Sequence, residues 1–137
     1  MFSKQLSKYK EWAPVILRII LGIAFILHGW PKWQNIDGVV GFFATLGSPA
    51  FMAYVVAFVE LVGGIAILLG IFTRYASALI AIDMIGATWL VKSKVGFIAQ
   101  GACGAELDLA FLAIALSLML LGAGKLSLEK ALFKKEW

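Results

Sequence analysis

Ionisable side chains interrupt the most apolar stretches of this chain. Glu60 stands in the middle of the segment FMAYVVAFVELVGGIAILLGIF, and the other ionisable residues of this kind are Arg18, His28, Asp83 and Glu106. Such groups are costly in hydrocarbon, so they usually face the interior of a helix bundle, where they are paired or near water. Carboxyl and imidazole groups in that position can move protons or hydrogen-bond a polar ligand. His28, Glu60 and Glu106 are therefore the candidate catalytic residues.

The composition is typical of a membrane protein. The chain has 137 residues, of which 62% are hydrophobic and 15% charged, whereas soluble domains are about half apolar and a quarter charged. The length predicts a single domain, residues 1–137. The sequence has one cysteine and none of the motifs that bind metal, flavin, haem or an iron–sulfur cluster. We therefore expect no metal site and no cofactor held by the chain alone.

Four apolar segments are long enough to cross a bilayer. They cover about residues 14–30, 49–72, 75–91 and 106–122. The sequence therefore predicts an all-α fold, an integral membrane four-helix bundle that contacts the lipid bilayer. The intervening segment NIDGVVGFFATLG is too short to cross but has apolar residues at helical spacing. It predicts a short amphipathic helix at the membrane surface, which either caps a pocket or only connects the first two spans.

The distribution of lysine and arginine predicts the topology. The net charge of +4 comes from basic residues concentrated in the two tails, with Arg74 in the turn between the second and third spans. Basic residues favour the cytoplasmic side. We therefore expect a multi-pass protein with both termini in the cytoplasm, and no nucleic-acid partner.

Helical spacing predicts which acidic residues point inward. Glu60, Asp83 and Glu106 each share a helix face with alanine and glycine residues, and small residues mark helix–helix contacts in membranes. Asp108 lies on a different face from Glu106, so it is a weaker candidate for the interior. Three carboxyl groups are therefore expected inside the bundle.

The rise of 1.5 Å per residue sorts the ionisable groups into two layers. The layer farther from the termini is the predicted ligand-binding cluster and comprises His28, Lys32, Glu60 and Glu106. The layer nearer the termini is a predicted structural ion pair of Arg18 with Asp83, and Arg18 is also within possible reach of Glu60.

Three segments together resemble the DoxX family of small four-span bacterial membrane proteins. They are RIILGIAFILHGWPKW, VELVGGIAILLGIFTR and GACGAELDLAFLAIALSLMLLGAGKLSLEKAL. The similarity covers about residues 18–132. It implies a bacterial inner-membrane protein that works with redox enzymes acting on quinones, catechols or thiols. Relatives include a membrane subunit of a thiosulfate:quinone oxidoreductase.

Two classes of function follow from these patterns. The first is a redox-associated subunit that binds a quinone or a similar small molecule at the predicted cluster, with a soluble redox enzyme as partner. In that case the chain would be a subunit of a quinone-linked oxidoreductase. The second is a non-enzymatic anchor, assembly protein or small carrier for a soluble partner. The small-residue stripe with Ala113 and Ser117 would also permit a homo-oligomer. The polar layers can equally be ion pairs that fix the packing of the helices.

Overall fold

The computed structural model describes residues 2–94 and 104–136 and is built from helices, with no strand in those two ranges. The predicted all-α class is confirmed. The helices are α1 (Phe2–Leu6), α2 (Ala13–Gln34), α3 (Ile36–Thr45), α4 (Ala50–Leu69), α5 (Thr73–Leu90), α6 (Ala105–Leu121) and α7 (Leu128–Phe133), with short 3-10 helices at Ser7–Trp12 and Lys92–Lys94. Gly96, Phe97 and Cys103 lie outside the described residues.

The four long helices form a closed ring of contacts. α2 packs against α4, α4 against α5, α5 against α6, and α6 against α2. Their shared core contains Leu21, Phe25, Ile67, Ile80 and Leu118. Because successive helices are antiparallel, the start of α2 lies at the same end as the last turn of α6. We call this the terminal end and the opposite one the far end.

The outer surface of the ring is apolar. Large side chains such as Leu27, Tyr75 and Ile82 are more than half exposed, whereas the charged Arg18 and Glu60 are each 3% exposed. The helical stretch Ser3–Gln34 and helix α4 are long and apolar enough to cross a membrane. An apolar exterior around buried charged side chains is the reverse of a soluble protein and suits a lipid environment. Crossing of the bilayer by α5 and α6 stays a prediction.

Glycines bring α2 and α4 into close contact. A Cβ atom built at Gly29 would lie 2.5 Å from the backbone nitrogen of Leu61, and one built at Gly64 would lie 2.9 Å from the backbone nitrogen of Ile26. Only glycine permits backbones to approach this closely. The close contact brings the far end of α2 beside the middle of α4.

Gly29→Ala is therefore expected to destabilise the protein, by about 1–3 kcal/mol, because the added methyl group must push α2 away from α4. Gly41→Ala is the matched control, since a Cβ atom there has no heavy atom within 4 Å. The control is expected to be neutral or slightly stabilising, as alanine favours helix. Thermal unfolding in detergent, followed by circular dichroism, measures both. Equal unfolding temperatures for the two variants would contradict the close packing.

Helix α2 continues beyond the predicted end of the first span. It includes Pro31 and ends at Gln34. This continuation places Lys32 on the helix, one turn after His28. Helix α3 then forms within the predicted connector and packs mainly on α4.

Candidate functional site

A cavity of about 640 Å³ lies at the far end, between α2, α3, α4, α5 and α6. Most of its lining is apolar, including Val39 and Phe42 of α3 and Val59 of α4. The ionisable residues that line it are His28, Lys32, Glu60, Asp83, Lys92 and Asp108. The volume is within the usual range of small-molecule sites. The cavity therefore combines an apolar body with a group of charged side chains.

Lys32 and Glu60 form an ion pair across α2 and α4. The Lys32 ammonium group donates a hydrogen bond to Oε1 of Glu60. The Lys32 side chain is 30% exposed, whereas that of Glu60 is 4% exposed. The ion pair holds the Glu60 carboxylate in the interior, where an unpaired charge would be costly.

Asp83 on α5 lies beside this ion pair. Its side chain lines the same cavity as that of Glu60. No described N–H or hydroxyl donor reaches Oδ2 of Asp83 or Oε2 of Glu60. A ligand with a hydroxyl or N–H group in the cavity can therefore bond to these two oxygens.

Asp108 on α6 supplies a third carboxyl group. The residue is 8% exposed, and its Oδ2 atom also has no described hydrogen-bond donor. A buried acceptor without a donor is costly. A ligand with a hydroxyl or N–H group in the cavity can satisfy this oxygen.

Aromatic rings form the wall beside these carboxyl groups. The His28 ring lies 6.1 Å from that of Phe111, edge to face, and 6.2 Å from that of Phe25. Phe25 and Phe111 also contact each other, with ring centroids 5.4 Å apart. These separations are typical of favourable aromatic pairs. The two phenyl rings offer a flat ligand an apolar surface next to the imidazole of His28, which can donate a hydrogen bond.

The structure brings three of the four residues of the predicted ligand-binding cluster into the cavity. His28, Lys32 and Glu60 line it, and Glu106 does not. Asp108 takes the place expected for Glu106, because the buried face of α6 runs through Asp108, Ala115 and Leu118. The signal in the sequence was the pairing of Asp108 with an aromatic residue one turn later, Phe111.

Arg18 and Asp83 are not brought together as the predicted ion pair. Arg18 Nε donates to the carbonyl oxygen of Ile67 at 2.9 Å, and Nη2 donates to that of Leu68 at 2.9 Å. Nη1 donates to carbonyl oxygens after α6, those of Ala123, Lys125 and Leu126, at 2.9 to 3.3 Å. These acceptors lie at the terminal end. Asp83 is ten residues beyond Thr73, so it lies roughly 15 Å farther along the helices.

The terminal end is held together by further polar contacts. Arg74 donates to the carbonyl oxygens of Met119 and Leu120, both at 3.0 Å, in the last turn of α6. Glu136 accepts from the backbone N–H of Ala123 at 2.7 Å and pairs with Lys130 at 3.1 Å. Burial raises the pKa of Glu136, but these bonds outweigh it and lower the pKa below its usual value. Arg74, Lys130 and Glu136 thus have a structural role at the terminal end.

No metal site is formed by the residues in ranges 2–94 and 104–136, since no three His, Cys, Asp or Glu side chains there could hold an ion together. The ionisable groups that line the cavity are instead mixed, with two ammonium groups and one imidazole beside three carboxyl groups. This donor set suits hydrogen bonding to an organic molecule.

Comparison with known proteins assigns the chain to a family. The family described as DoxX matches residues 13–93. The chain belongs to the DoxX family. A Bacillus subtilis (strain 168) protein named "Putative oxidoreductase CatD" is 39% identical over 129 residues, which are 94% of this chain and 93% of that protein. The predicted family resemblance is confirmed.

Other relatives of this DoxX protein carry membrane names. A membrane protein of Mycobacterium tuberculosis is 34% identical over 88% of this chain and 82% of its own length. Inner membrane protein YqjF of Escherichia coli is 35% identical over 50% of this chain and 53% of its own length. The membrane location expected from composition is thereby supported. No solved structure is significantly similar to the chain.

Proposed function

We propose that this DoxX protein is a redox-associated subunit of the bacterial inner membrane that binds a quinone or a similar small molecule in the far-end cavity. The observation that carries the proposal is the cluster of His28, Lys32, Glu60, Asp83 and Asp108 on the wall of an otherwise apolar cavity. Ionisable groups at such depth usually mark a functional site. The name of the Bacillus subtilis relative, an oxidoreductase, supports a redox-associated function.

The side chains of the cluster have separate tasks in this proposal. Lys32 and His28 donate hydrogen bonds to the oxygen atoms of the ligand. Glu60 and Asp83 hold and exchange a proton, and Asp108 accepts a hydrogen bond from a hydroxyl group of the ligand. Phe25 and Phe111 pack on the ring. A quinone takes up two protons with two electrons on reduction, so proton-exchanging carboxyl groups beside the ring suit that chemistry.

The electrons for the reduction of the ligand would come from a partner protein. The sequence has no motif for a redox cofactor, so we propose a soluble redox enzyme that docks at the membrane. The lysine-rich tails lie at the terminal end, and the positive-inside rule places that end in the cytoplasm. The ligand-binding end would then face the opposite side of the membrane. In the alternative function, the chain is an anchor or carrier for the partner, and the cavity cluster is structural.

A substitution that fills the cavity distinguishes the binding function from the anchor function. A Cβ atom built at Gly86 meets no heavy atom within 4 Å, and the residue lines the cavity. Gly86→Phe is therefore expected to weaken binding of a water-soluble benzoquinone or its hydroquinone by at least about tenfold, by occupying the ring's place. Isothermal titration calorimetry on detergent-solubilised protein measures the affinity, under anaerobic conditions for the hydroquinone.

Gly41→Phe is the matched control, since Gly41 is also a helical glycine with open space around it but does not line the cavity. It is expected to bind as the wild type does. If the wild type binds neither probe, or if Gly86→Phe binds both as tightly as Gly41→Phe, the cavity is not the binding site and the anchor function gains.

A further inference from the structure

The cavity has an edge that faces the outside of the helix ring. Five of its described lining residues are large and apolar and are also substantially exposed. They are Phe42 on α3, 47% exposed, Val55 on α4, 46% exposed, and Leu79, Ile82 and Leu90 on α5, 51%, 66% and 40% exposed. A side chain can line a cavity and also face the exterior only where the cavity opens. Four of the five lie on α4 and α5, so the opening lies mainly between these two helices, with Phe42 of α3 at its border.

This opening lies at the depth of the hydrocarbon. Ile82 is nine residues after the start of α5 at Thr73 and eight before its end at Leu90, so it is roughly 12–14 Å from either end of the helix. Val55 is five residues after the start of α4, roughly 8 Å below the far end. The hydrocarbon core of a bilayer is about 30 Å thick. The edge formed by these residues therefore meets lipid chains and not water.

The cavity wall behind this apolar edge is polar. Glu60 lies five residues beyond Val55 on α4, and Asp83 follows Ile82 on α5. Both carboxyl groups line the cavity behind the apolar edge. A molecule that enters through this edge passes valine, leucine and isoleucine before its head reaches the carboxyl groups. The arrangement matches a ligand with a polar head and an apolar tail.

We infer that the ligand is a bilayer-dissolved amphiphile, which enters sideways between α4 and α5 and leaves its hydrocarbon tail at Val55, Leu79 and Ile82. The inference rests on the proposed small-molecule site and specifies its substrate class, a polar ring with a long hydrocarbon chain. A water-soluble ligand without a chain would gain nothing from this edge. Ile82 and Leu79 are then specificity-determining residues, through contact with the tail.

Photocrosslinking tests the position of the tail. The probe is a benzoquinone with a ten-carbon chain that ends in a diazirine, added to protein in lipid nanodiscs, and the attachment sites are mapped by mass spectrometry. In the wild type we expect attachment to α4 and α5 near Val55, Leu79 and Ile82. Ile82→Trp is expected to lower this attachment by about tenfold, because the larger side chain narrows the opening.

Ile85→Trp is the matched control, since Ile85 is 55% exposed on the same helix and does not line the cavity. Attachment in this variant should equal that in the wild type. Attachment that is unchanged in Ile82→Trp, or located on α3, overturns the sideways entry. If the chain-free benzoquinone still binds in the calorimetric titration, the proposed function survives that result. If the chain-free compounds fail to bind the wild type, the proposed function and the inference fall together.

Discussion

Arg18→Leu is expected to lower the free energy of unfolding by about 3–5 kcal/mol, because several buried carbonyl oxygens lose a charged donor. The guanidinium group is 3% exposed and donates hydrogen bonds to five carbonyl oxygens. Two of them, at Ile67 and Leu68, are among the last carbonyls of α4, where the hydrogen-bond ladder of the helix ends. The Ile67 oxygen also accepts from the backbone N–H of Gly70 at 3.1 Å. Leucine leaves all five oxygens without this donor.

The positive charge also matters at this place. The last turn of a helix carries a partial negative charge, which a cation stabilises. Gly70, which ends α4 in the left-handed conformation with φ of 73°, leaves room for the group, since a Cβ atom there would lie 2.5 Å from Nη2 of Arg18. Arg18→Lys keeps the charge but cannot reach five oxygens, so its loss should be intermediate.

Arg74→Leu is the control for Arg18→Leu. Arg74 also donates to the end of a helix, but within ranges 2–94 and 104–136 it bonds to two carbonyl oxygens, and one of these bonds is exposed to solvent. Arg74→Leu should therefore lower the free energy of unfolding clearly less than Arg18→Leu does. Denaturant unfolding in detergent gives both free energies. Equal losses in the two variants would contradict the role assigned to Arg18.

The second large effect is expected at the ion pair of Lys32 and Glu60. Lys32→Met removes the only described cation that bonds to the Glu60 carboxylate, and we expect a loss of about 2–3 kcal/mol because a buried charge loses its partner. Glu60→Gln should cost about 1 kcal/mol or less, since the Lys32 side chain is 30% exposed and its ammonium can turn toward water.

A double-mutant cycle tests this coupling. The double variant Lys32→Met with Glu60→Gln should be more stable than Lys32→Met alone, because the buried charge is absent. Unfolding free energies for the four proteins give the interaction energy. Strictly additive losses would show that the two side chains do not stabilise each other.

Part of the fold and of the site could be predicted from the sequence. The inward direction of Glu60 followed from its small-residue face, and the structure buries Ala53, Ala57 and Gly64 on that face. Long apolar segments with few charges fixed the helical class. Both signals are local, because they depend only on residue type and the 3.6-residue period.

The same small-residue rule gave the wrong face for α6. Ala110 and Ala113 share a face with Glu106 and are exposed, whereas Asp108, Ala115 and Leu118 are buried. The rotation of α6 is set by its packing against α5, with Ala115 and Leu118 in the shared core. Such packing between helices leaves no reliable mark on the spacing within one helix.

The partner of Arg18 could not be predicted for a related reason. The depth estimate compared Arg18 only with charged side chains and so pointed to Asp83. The acceptors are backbone carbonyl oxygens of α4 and of the segment after α6, which no residue type reveals. Asp83 instead lines the cavity together with Glu60.

The central claim is that the cavity cluster binds a small molecule. Mass spectrometry of organic extracts from protein purified in mild detergent tests it most directly, with wild type, Glu60→Gln and the exposed control Glu11→Gln compared at equal folded amounts. The account predicts an amphiphilic aromatic compound in the wild type and in Glu11→Gln, and its loss from Glu60→Gln, because the amide no longer holds Lys32 or exchanges a proton with Asp83. Equal amounts of such a compound in all three proteins, or none in any of them, would contradict the claim.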